Sequence, residues 1–162
     1  MNISIRPSEP SDAKCLKEWL LEPGILDFFP VMDVRELDDT IRIWMSYGAK
    51  EATLTADFDG MPAGMLVLYL QPYEKLKHQC LFGIVVGKEF RGKGVGTMLI
   101  KEAERMAKKK HGIELLHLEV YKGNPALNLY KRLGYREYGV QKHFLKEGPN
   151  QYRDKIVMQK GL

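Results

Sequence analysis

A glycine-rich basic turn between an apolar strand and an amphipathic helix constrains the fold of this chain more than any other feature. Residues 80–86 form an apolar run of strand length, and apolar residues recur at helical spacing over residues 95–107. Between them, Gly92, Gly94 and Gly96 lack the Cβ atoms that would keep a ligand away from the backbone. The turn also contains three cationic residues, Lys88, Arg91 and Lys93. Because a helix N-terminus favours an anion, this stretch predicts a polyphosphate-binding site.

The glycine spacing excludes two common phosphate-binding loops. A P-loop needs a Gly-Lys-Ser/Thr sequence that is missing here. A dinucleotide-binding turn follows its strand directly, whereas here a polar turn intervenes. The pattern Arg91-x-x-Gly94-x-Gly96, after a strand that ends in Val85-Val86, resembles the acetyl-CoA signature of the GCN5-related N-acetyltransferase (GNAT) superfamily. A glycine turn that binds nothing and merely begins a helix is the alternative.

The predicted order of strands and helices is also similar to the fold of that superfamily. In chain order the elements cover residues 3–6 (strand), 11–22 and 34–47 (helices), 53–58, 63–70 and 80–86 (strands), 95–111 (helix), 113–121 (strand), 125–133 (helix), 135–145 and 154–159 (strands). Asp59-Gly60 predicts a hairpin turn, and the polar stretches 71–77 and 146–153 predict loops. We expect one α/β (α+β) domain over residues 1–162, with a central mixed seven-stranded sheet flanked by about four helices.

The resemblance implies how the first of two family blocks contacts a bound acetyl-CoA. It implies that Ile84 and Val86 pair through their backbones with the pantetheine arm. It also implies that the turn over residues 91–96 holds the pyrophosphate. The implied cofactor contacts of this block are Ile84, Val85, Val86, Arg91, Gly92, Lys93, Gly94, Val95, Gly96 and Thr97.

The second family block appears as residues 124–135 and begins with Asn124-Pro125-Ala126. The resemblance implies that Asn124 and Ala126 line the cofactor and that Tyr130 approaches its sulfur. An asparagine before proline is also an ordinary helix N-cap. A tyrosine on an amphipathic helix is also an ordinary core aromatic residue. Both interpretations stay open for each residue.

Glu119 is the candidate general base for transfer to an amine. An alkyl amine with a pKa near 10.4 is protonated at neutral pH, and removing its proton costs roughly 4 kcal/mol. Strand alternation places His117, Glu119 and Tyr121 on one face of residues 113–121. A carboxylate flanked by leucine and valine is expected to be partly desolvated, which suits a base. Its position is also similar to that of the strand glutamate in ribosomal-protein amino-terminal acetyltransferases. The alternative is a solvated or ion-paired Glu119, with water or His117 as the base.

Tyr130 is the candidate general acid. A phenol with a pKa of about 10 can protonate a thiolate of similar basicity at little cost. A backbone N–H near Val86 would polarise the thioester oxygen. Cys80 suggests an acetyl-cysteine relay, but a lone strand cysteine is usually a small apolar core residue. We therefore expect direct attack by the amine within a ternary complex.

Composition argues against several other classes of protein. The 162 residues are 44% hydrophobic and 28% charged, as in ordinary globular domains. No apolar stretch has the length of a membrane span, no secretory signal pattern is present, and Cys15 and Cys80 make no disulfide framework. The net charge of +4 is modest, and the lysine run at 108–110 lies where a helix should end. We expect a cytoplasmic protein that binds no nucleic acid, membrane or metal ion.

The predicted function is acetyl-CoA-dependent N-acetylation of a primary amine. The acceptor stays open between a peptide or protein amino terminus, a polyamine or other small amine, and an amino sugar. Glu119 together with Tyr130 favours an amino terminus. The apolar segment 25–32 is either core lining or one wall of the acceptor pocket. A catalytically silent acyl-CoA-binding regulatory module is the alternative function, and the protein can be a homodimer.

Overall fold

The computed structural model describes residues 1–162 and contains a seven-stranded sheet with helices on both faces. The strands are β1 (Ile3–Pro7), β2 (Thr53–Phe58), β3 (Met61–Tyr69), β4 (Gln79–Val86), β5 (Leu115–Tyr121), β6 (Arg136–Gly148) and β7 (Gln151–Gly161). The helices are α1 (Asp12–Leu20), α2 (Val34–Ser46), α3 (Val95–His111) and α4 (Ala126–Arg132). The sheet order is β1-β2-β3-β4-β5-β7-β6. The predicted fold class and element order are confirmed.

The first four strands are antiparallel to one another and carry a core on each face. Between β2 and β3, Asp59 and Gly60 have φ angles of 49° and 85°, which confirms the predicted hairpin turn. A cluster of 10 buried residues lies under α1 and α2, and a cluster of 21 lies under α3 and α4. Alternate residues of β4 belong to the two clusters, with Val85 in the first and Phe82 in the second. We call the two sides the α1/α2 face and the α3/α4 face.

The parallel strands β4 and β5 pair only at their beginnings. The paired residues are Gln79 with Leu115, Cys80 with Leu116 and Leu81 with His117. Beyond Leu81, β4 continues to Val86 paired with β3, while β5 continues to Tyr121 paired with β7. The sheet therefore opens into a cleft between the C-terminal halves of β4 and β5.

The β6–β7 hairpin differs from the predicted polar loop over residues 146–153. β6 runs to Gly148 and β7 starts at Gln151, so only Pro149 and Asn150 connect them. The ladder continues through the pairs Leu145 with Arg153 and Lys146 with Tyr152. These strands are polar because β6 is exposed along almost its whole length, and polarity is therefore no sign of a loop here.

Other structural features bear on the classes of protein considered above. No helix of the protein combines the length and the apolar character needed to cross a membrane. No group of three or more His, Cys, Asp or Glu side chains is placed to hold a metal ion. Cys15 and Cys80 are both free thiols, and Cys80 is buried in the core under α3 and α4.

Candidate active site

The edge of β4 that β5 leaves unpaired faces the cleft. The N–H of Gly87 donates to the carbonyl of Ala63 at 2.9 Å, so Gly87 directs its backbone groups toward β3. Successive residues of a strand direct their backbone groups to opposite edges. Val86 and Ile84 therefore direct theirs into the cleft, where the resemblance implies the pantetheine arm.

The N-terminus of α3 presents unpaired backbone donors next to this edge. Gly94 precedes the helix with a φ of 90°, and no side chain caps it. The first backbone hydrogen bond runs from the N–H of Met98 to the carbonyl of Gly94, at 3.0 Å. The N–H groups of Val95, Gly96 and Thr97 consequently have no acceptor in the protein. Free donors at the positive end of a helix dipole fit a pyrophosphate.

Glu22, which the sequence did not indicate as a site residue, supports the turn that leads into α3. Its carboxylate accepts from the N–H of Lys88 at 2.9 and 3.1 Å and from Arg91 Nη2 at 2.8 Å. Arg91 Nε in turn donates to the carbonyl of Val86 at 2.9 Å. Glu22 lies 66 and 69 positions from its two partners, so no local pattern could reveal the contact.

A cavity of about 710 Å³ runs through the cleft and is lined from both faces of the sheet. It brings together all but one of the predicted cofactor contacts: Ile84, Val85, Val86, Arg91, Gly92, Gly94, Val95, Gly96, Thr97, Asn124, Ala126 and Tyr130. Lys93 does not line it, because its ammonium lies over the rings of Phe58 and Phe90, 5.3 and 6.0 Å from their centroids. The Val85 side chain packs in the core on the α1/α2 face.

Tyr130 lies on α4 at the α3/α4 end of this cavity. Tyr130 is 7% exposed. Its ring packs against the rings of Phe82 and Tyr135, whose centroids lie 6.2 and 6.3 Å from its own. Every fully buried polar side-chain atom of the protein has a hydrogen-bond partner, whereas the Tyr130 hydroxyl makes no hydrogen bond. The hydroxyl is therefore not fully buried, and it opens to the cavity that Tyr130 lines. Burial raises the pKa of Tyr130 above that of a free phenol. The hydroxyl is therefore protonated at neutral pH.

Asn124 combines the two interpretations that the sequence left open. Its side-chain oxygen accepts from the N–H of Ala126 at 2.9 Å, which is a capping contact at the start of α4. Asn124 and Ala126 also line the cavity. The side-chain amide of Asn124 keeps its donors available to a ligand.

Glu119 lines the cavity from the α1/α2 face. Its side chain is 36% exposed, and its Oε1 accepts from Lys155 Nζ at 3.1 Å. Lys155 is only 11% exposed and lies 3.8 Å from the centroid of the Phe144 ring. Glu119 is therefore partly exposed and ion-paired with Lys155, and an ion pair was one of the alternatives considered from the sequence. Its role as base stays a prediction.

His117 lies on the same face of β5 as Glu119 but does not line the cavity. Its Nε2 makes a hydrogen bond with the side-chain oxygen of Gln79. Burial lowers the pKa of His117, which keeps the ring neutral at physiological pH. Glu119 is thus the carboxylate of β5 that lines the cavity directly.

An apolar wall, assembled from distant parts of the chain, closes the cavity on the α1/α2 face. It consists of Phe28, Phe29, Val31, Trp44, Tyr69 and Tyr121. The segment 25–32 therefore lies partly in the core and partly along the cavity. Ile25 and Val31 are buried in the core, whereas Phe28 and Phe29 are half-buried and line the cavity.

Three features together are typical of one class of protein: the split sheet, the uncapped helix after a glycine turn, and the cavity between them. Residues 16–135 match the family model described as "Acetyltransferase (GNAT) family". Because the match covers more than half of the chain, the protein belongs to the GNAT family, whose members use acetyl-CoA as cofactor.

Three known proteins show the extent of the likeness. An N-alpha-acetyltransferase of Sulfurisphaera tokodaii is 37% identical over 70 residues, which are 43% of this chain and 42% of that protein, so the match spans less than half of the relative. An L-amino acid N-acetyltransferase of Escherichia coli is 27% identical over 161 residues, or 96% of each chain. A Salmonella typhimurium protein solved with acetyl-CoA has a TM-score of 0.81 and 17% identity, covering 98% of this chain and 93% of that one. This last likeness shows the fold.

Proposed function

We propose that this protein is an acetyl-CoA-dependent N-acetyltransferase that acts on an α-amine. One observation carries the proposal: a single cavity connects the free N–H groups at the start of α3, the open edge of β4, the Tyr130 hydroxyl and the Glu119 carboxylate. Val95, Gly96 and Thr97 would hold the pyrophosphate through their N–H groups. Acetyl-CoA supplies an acetyl group activated as a thioester.

The residues around the cleft divide the proton transfers between the two faces of the sheet. Glu119 takes the proton from the amine, directly or through water, on the α1/α2 face. Tyr130 Oη gives its proton to the departing sulfur on the α3/α4 face. The N–H of Val86, at the open edge of β4, polarises the thioester oxygen. No residue is covalently modified: burial raises the pKa of Cys80 to about 12, and this thiol does not line the cavity. This supports direct attack by the amine.

An α-amine as the acceptor is supported by the two relatives, whose names specify N-alpha acetylation and L-amino acid acetylation. A peptide or protein amino terminus, a free amino acid and another small amine each contain the required group. A homodimer stays a prediction.

Turnover of acetyl-CoA with a panel of amines tests this function. The assay follows release of the coenzyme A thiol with α-amino, polyamine and amino-sugar acceptors. We expect release only when an amine is present, with the acetylated amine detected by mass spectrometry. Tight coenzyme A binding without release for any amine would instead favour the regulatory module.

A further inference from the structure

The acceptor side of the cavity has the composition of a pocket for an apolar group. The apolar wall defined above contains five aromatic residues and one valine. Pockets built in this way bind apolar groups and use a few polar atoms for orientation. Besides the tyrosine hydroxyls, the polar side chains on this face are Thr40 and Glu119.

The charges around the cavity limit what else the acceptor can carry. The charged side chains of the lining are Arg91, Glu119 and Arg132. Arg91 is paired with Glu22, and Arg132 lies on α4, across the sheet from the apolar wall. Glu119 is therefore the only charged lining residue on the acceptor side. A second ammonium finds no second carboxylate there. A free carboxylate finds no cation in the lining of that side, because Lys155 is paired with Glu119 and does not line the cavity.

Two residues of the apolar wall, Trp44 and Tyr69, pack closely against Gly83 of β4. A Cβ at Gly83 would lie 2.8 Å from Trp44 Cζ2 and 3.3 Å from Tyr69 Oη. The Trp44 indole thus lies directly against the β4 backbone, and it is only 1% exposed. Tyr69 is held from its other side by Tyr47, with ring centroids 5.6 Å apart. Closely packed residues such as Trp44 and Tyr69 respond to a volume change of even one methylene group, so this part of the wall can select a side chain by its volume.

Resting on the proposed function, we propose that the preferred acceptor is the α-amine of a residue with a large apolar side chain and an uncharged carbonyl group. A peptide amino terminus that begins with leucine, methionine or phenylalanine has this chemistry, and so has the amide of such an amino acid. Glu119 receives the amine, and the apolar wall receives the side chain. Polyamines and amino sugars lack the apolar group, and a free amino acid adds a carboxylate without a partner.

The test compares kcat/KM for matched acceptors. Phenylalaninamide and leucinamide should exceed alaninamide about fiftyfold, since each buried methylene group contributes about a factor of four. Lysinamide, spermidine and glucosamine should fall below leucinamide by about a hundredfold or more. Phenylalaninamide and a peptide that begins with phenylalanine should both exceed free phenylalanine. Equal values for all amines, or faster turnover of spermidine, glucosamine or free phenylalanine, would overturn the proposal while leaving the transferase function standing.

A variant of the wall ties the preference to this surface. Phe28→Ala should reduce the ratio between phenylalaninamide and alaninamide at least about tenfold and leave coenzyme A affinity unchanged. Tyr138→Ala, at an aromatic residue of β6 that is 55% exposed, is the matched control and should keep the ratio. An unchanged ratio in a folded Phe28→Ala protein would refute the role of the wall. Absence of turnover with every amine, despite coenzyme A binding, would overturn the transferase function and this inference with it.

Discussion

The two ends of the cavity are built from different materials. On the α3/α4 side, the candidate cofactor site uses backbone atoms: free N–H groups at the start of α3, the open edge of β4 and glycines without Cβ atoms. On the α1/α2 side, the candidate acceptor site uses side chains: the apolar wall and Glu119, which Lys155 contacts from outside the lining. A site built from backbone atoms depends on the conformation of the chain and tolerates many different side chains. A site built from side chains changes its ligand preference when those side chains are substituted. The α3/α4 side thus carries the features shared with the family, and the α1/α2 side carries the features on which the proposed acceptor preference depends.

We expect the largest effect on coenzyme A binding from a substitution that disrupts only the backbone conformation of the candidate cofactor site. Gly94→Val forces a branched residue to a φ of 90°, which costs on the order of 1–3 kcal/mol and displaces the start of α3. We expect coenzyme A binding to be abolished in calorimetry while the protein remains folded. Gly112→Val is the control, since Gly112 also has a positive φ, of 63°, but lies at the far end of α3 from Gly94. Unchanged affinity in a folded Gly94→Val protein would refute the pyrophosphate site.

A substitution at Glu119 breaks the acceptor side alone. Glu119→Gln keeps the shape but removes the base, so turnover should fall by roughly two to four orders of magnitude with little change in coenzyme A affinity. Steady-state kinetics and calorimetry measure the two quantities separately. Glu114→Gln, at an exposed residue just before β5, should leave both unchanged. If Glu119→Gln retained near-normal turnover, the base would be water or His117.

Tyr130 lies on the α3/α4 side, and Tyr130→Phe tests whether its hydroxyl is needed. Turnover should fall about a hundredfold or more with coenzyme A still bound. The deficit should shrink with an acetyl donor whose leaving thiol is more acidic, because that thiolate departs without a proton. Since burial raises the pKa of Tyr130, its ionisation should cause no loss of rate below about pH 10.

A neighbouring tyrosine provides the control for this substitution. Tyr135 belongs to the same aromatic cluster, but its hydroxyl donates to Glu104 and does not line the cavity. Tyr135→Phe should therefore lower stability without lowering turnover. Equal deficits with both acetyl donors would mean that Tyr130 positions the cofactor and does not protonate the sulfur. No deficit at all would leave Tyr130 as a core residue.

We expect the smallest effect from a substitution at Glu22, because Glu22 is a side chain that supports the backbone atoms of the candidate cofactor site. Glu22→Gln weakens the contacts to Lys88 and Arg91 while the turn keeps its glycines. Coenzyme A affinity should fall about fivefold, or about 1 kcal/mol, with kcat nearly unchanged. Glu18→Gln, one turn earlier on α1 and exposed, is the control. A fall in kcat without a change in coenzyme A affinity would contradict this supporting role.

The element order and the glycine turn before α3 could be predicted because both depend on short-range patterns. Alternation locates β4 and β5, and a left-handed Gly94 just before α3 is a local consequence of glycine. The hairpin at Asp59 and Gly60 follows for the same reason. The β6–β7 hairpin was predicted wrongly as a loop between shorter strands, because its exposed strands lack the alternation that a half-buried strand shows.

By itself, then, the sequence determined the fold, the family and the position of the candidate cofactor turn, since each follows from residues that are neighbours along the chain. Only the tertiary structure decided where β4 and β5 separate, which groups gather at the acceptor end and what holds the turn. Trp44, Tyr69 and Tyr121 meet only when α2, β3 and β5 pack together, and Glu22 meets Arg91 across 69 positions. Lys155 reaches Glu119 through the pairing of β5 with β7 and gives its carboxylate an ion-pair partner that the sequence did not locate. Contacts of this kind depend on packing between distant segments, and no spacing of residues along the chain specifies them.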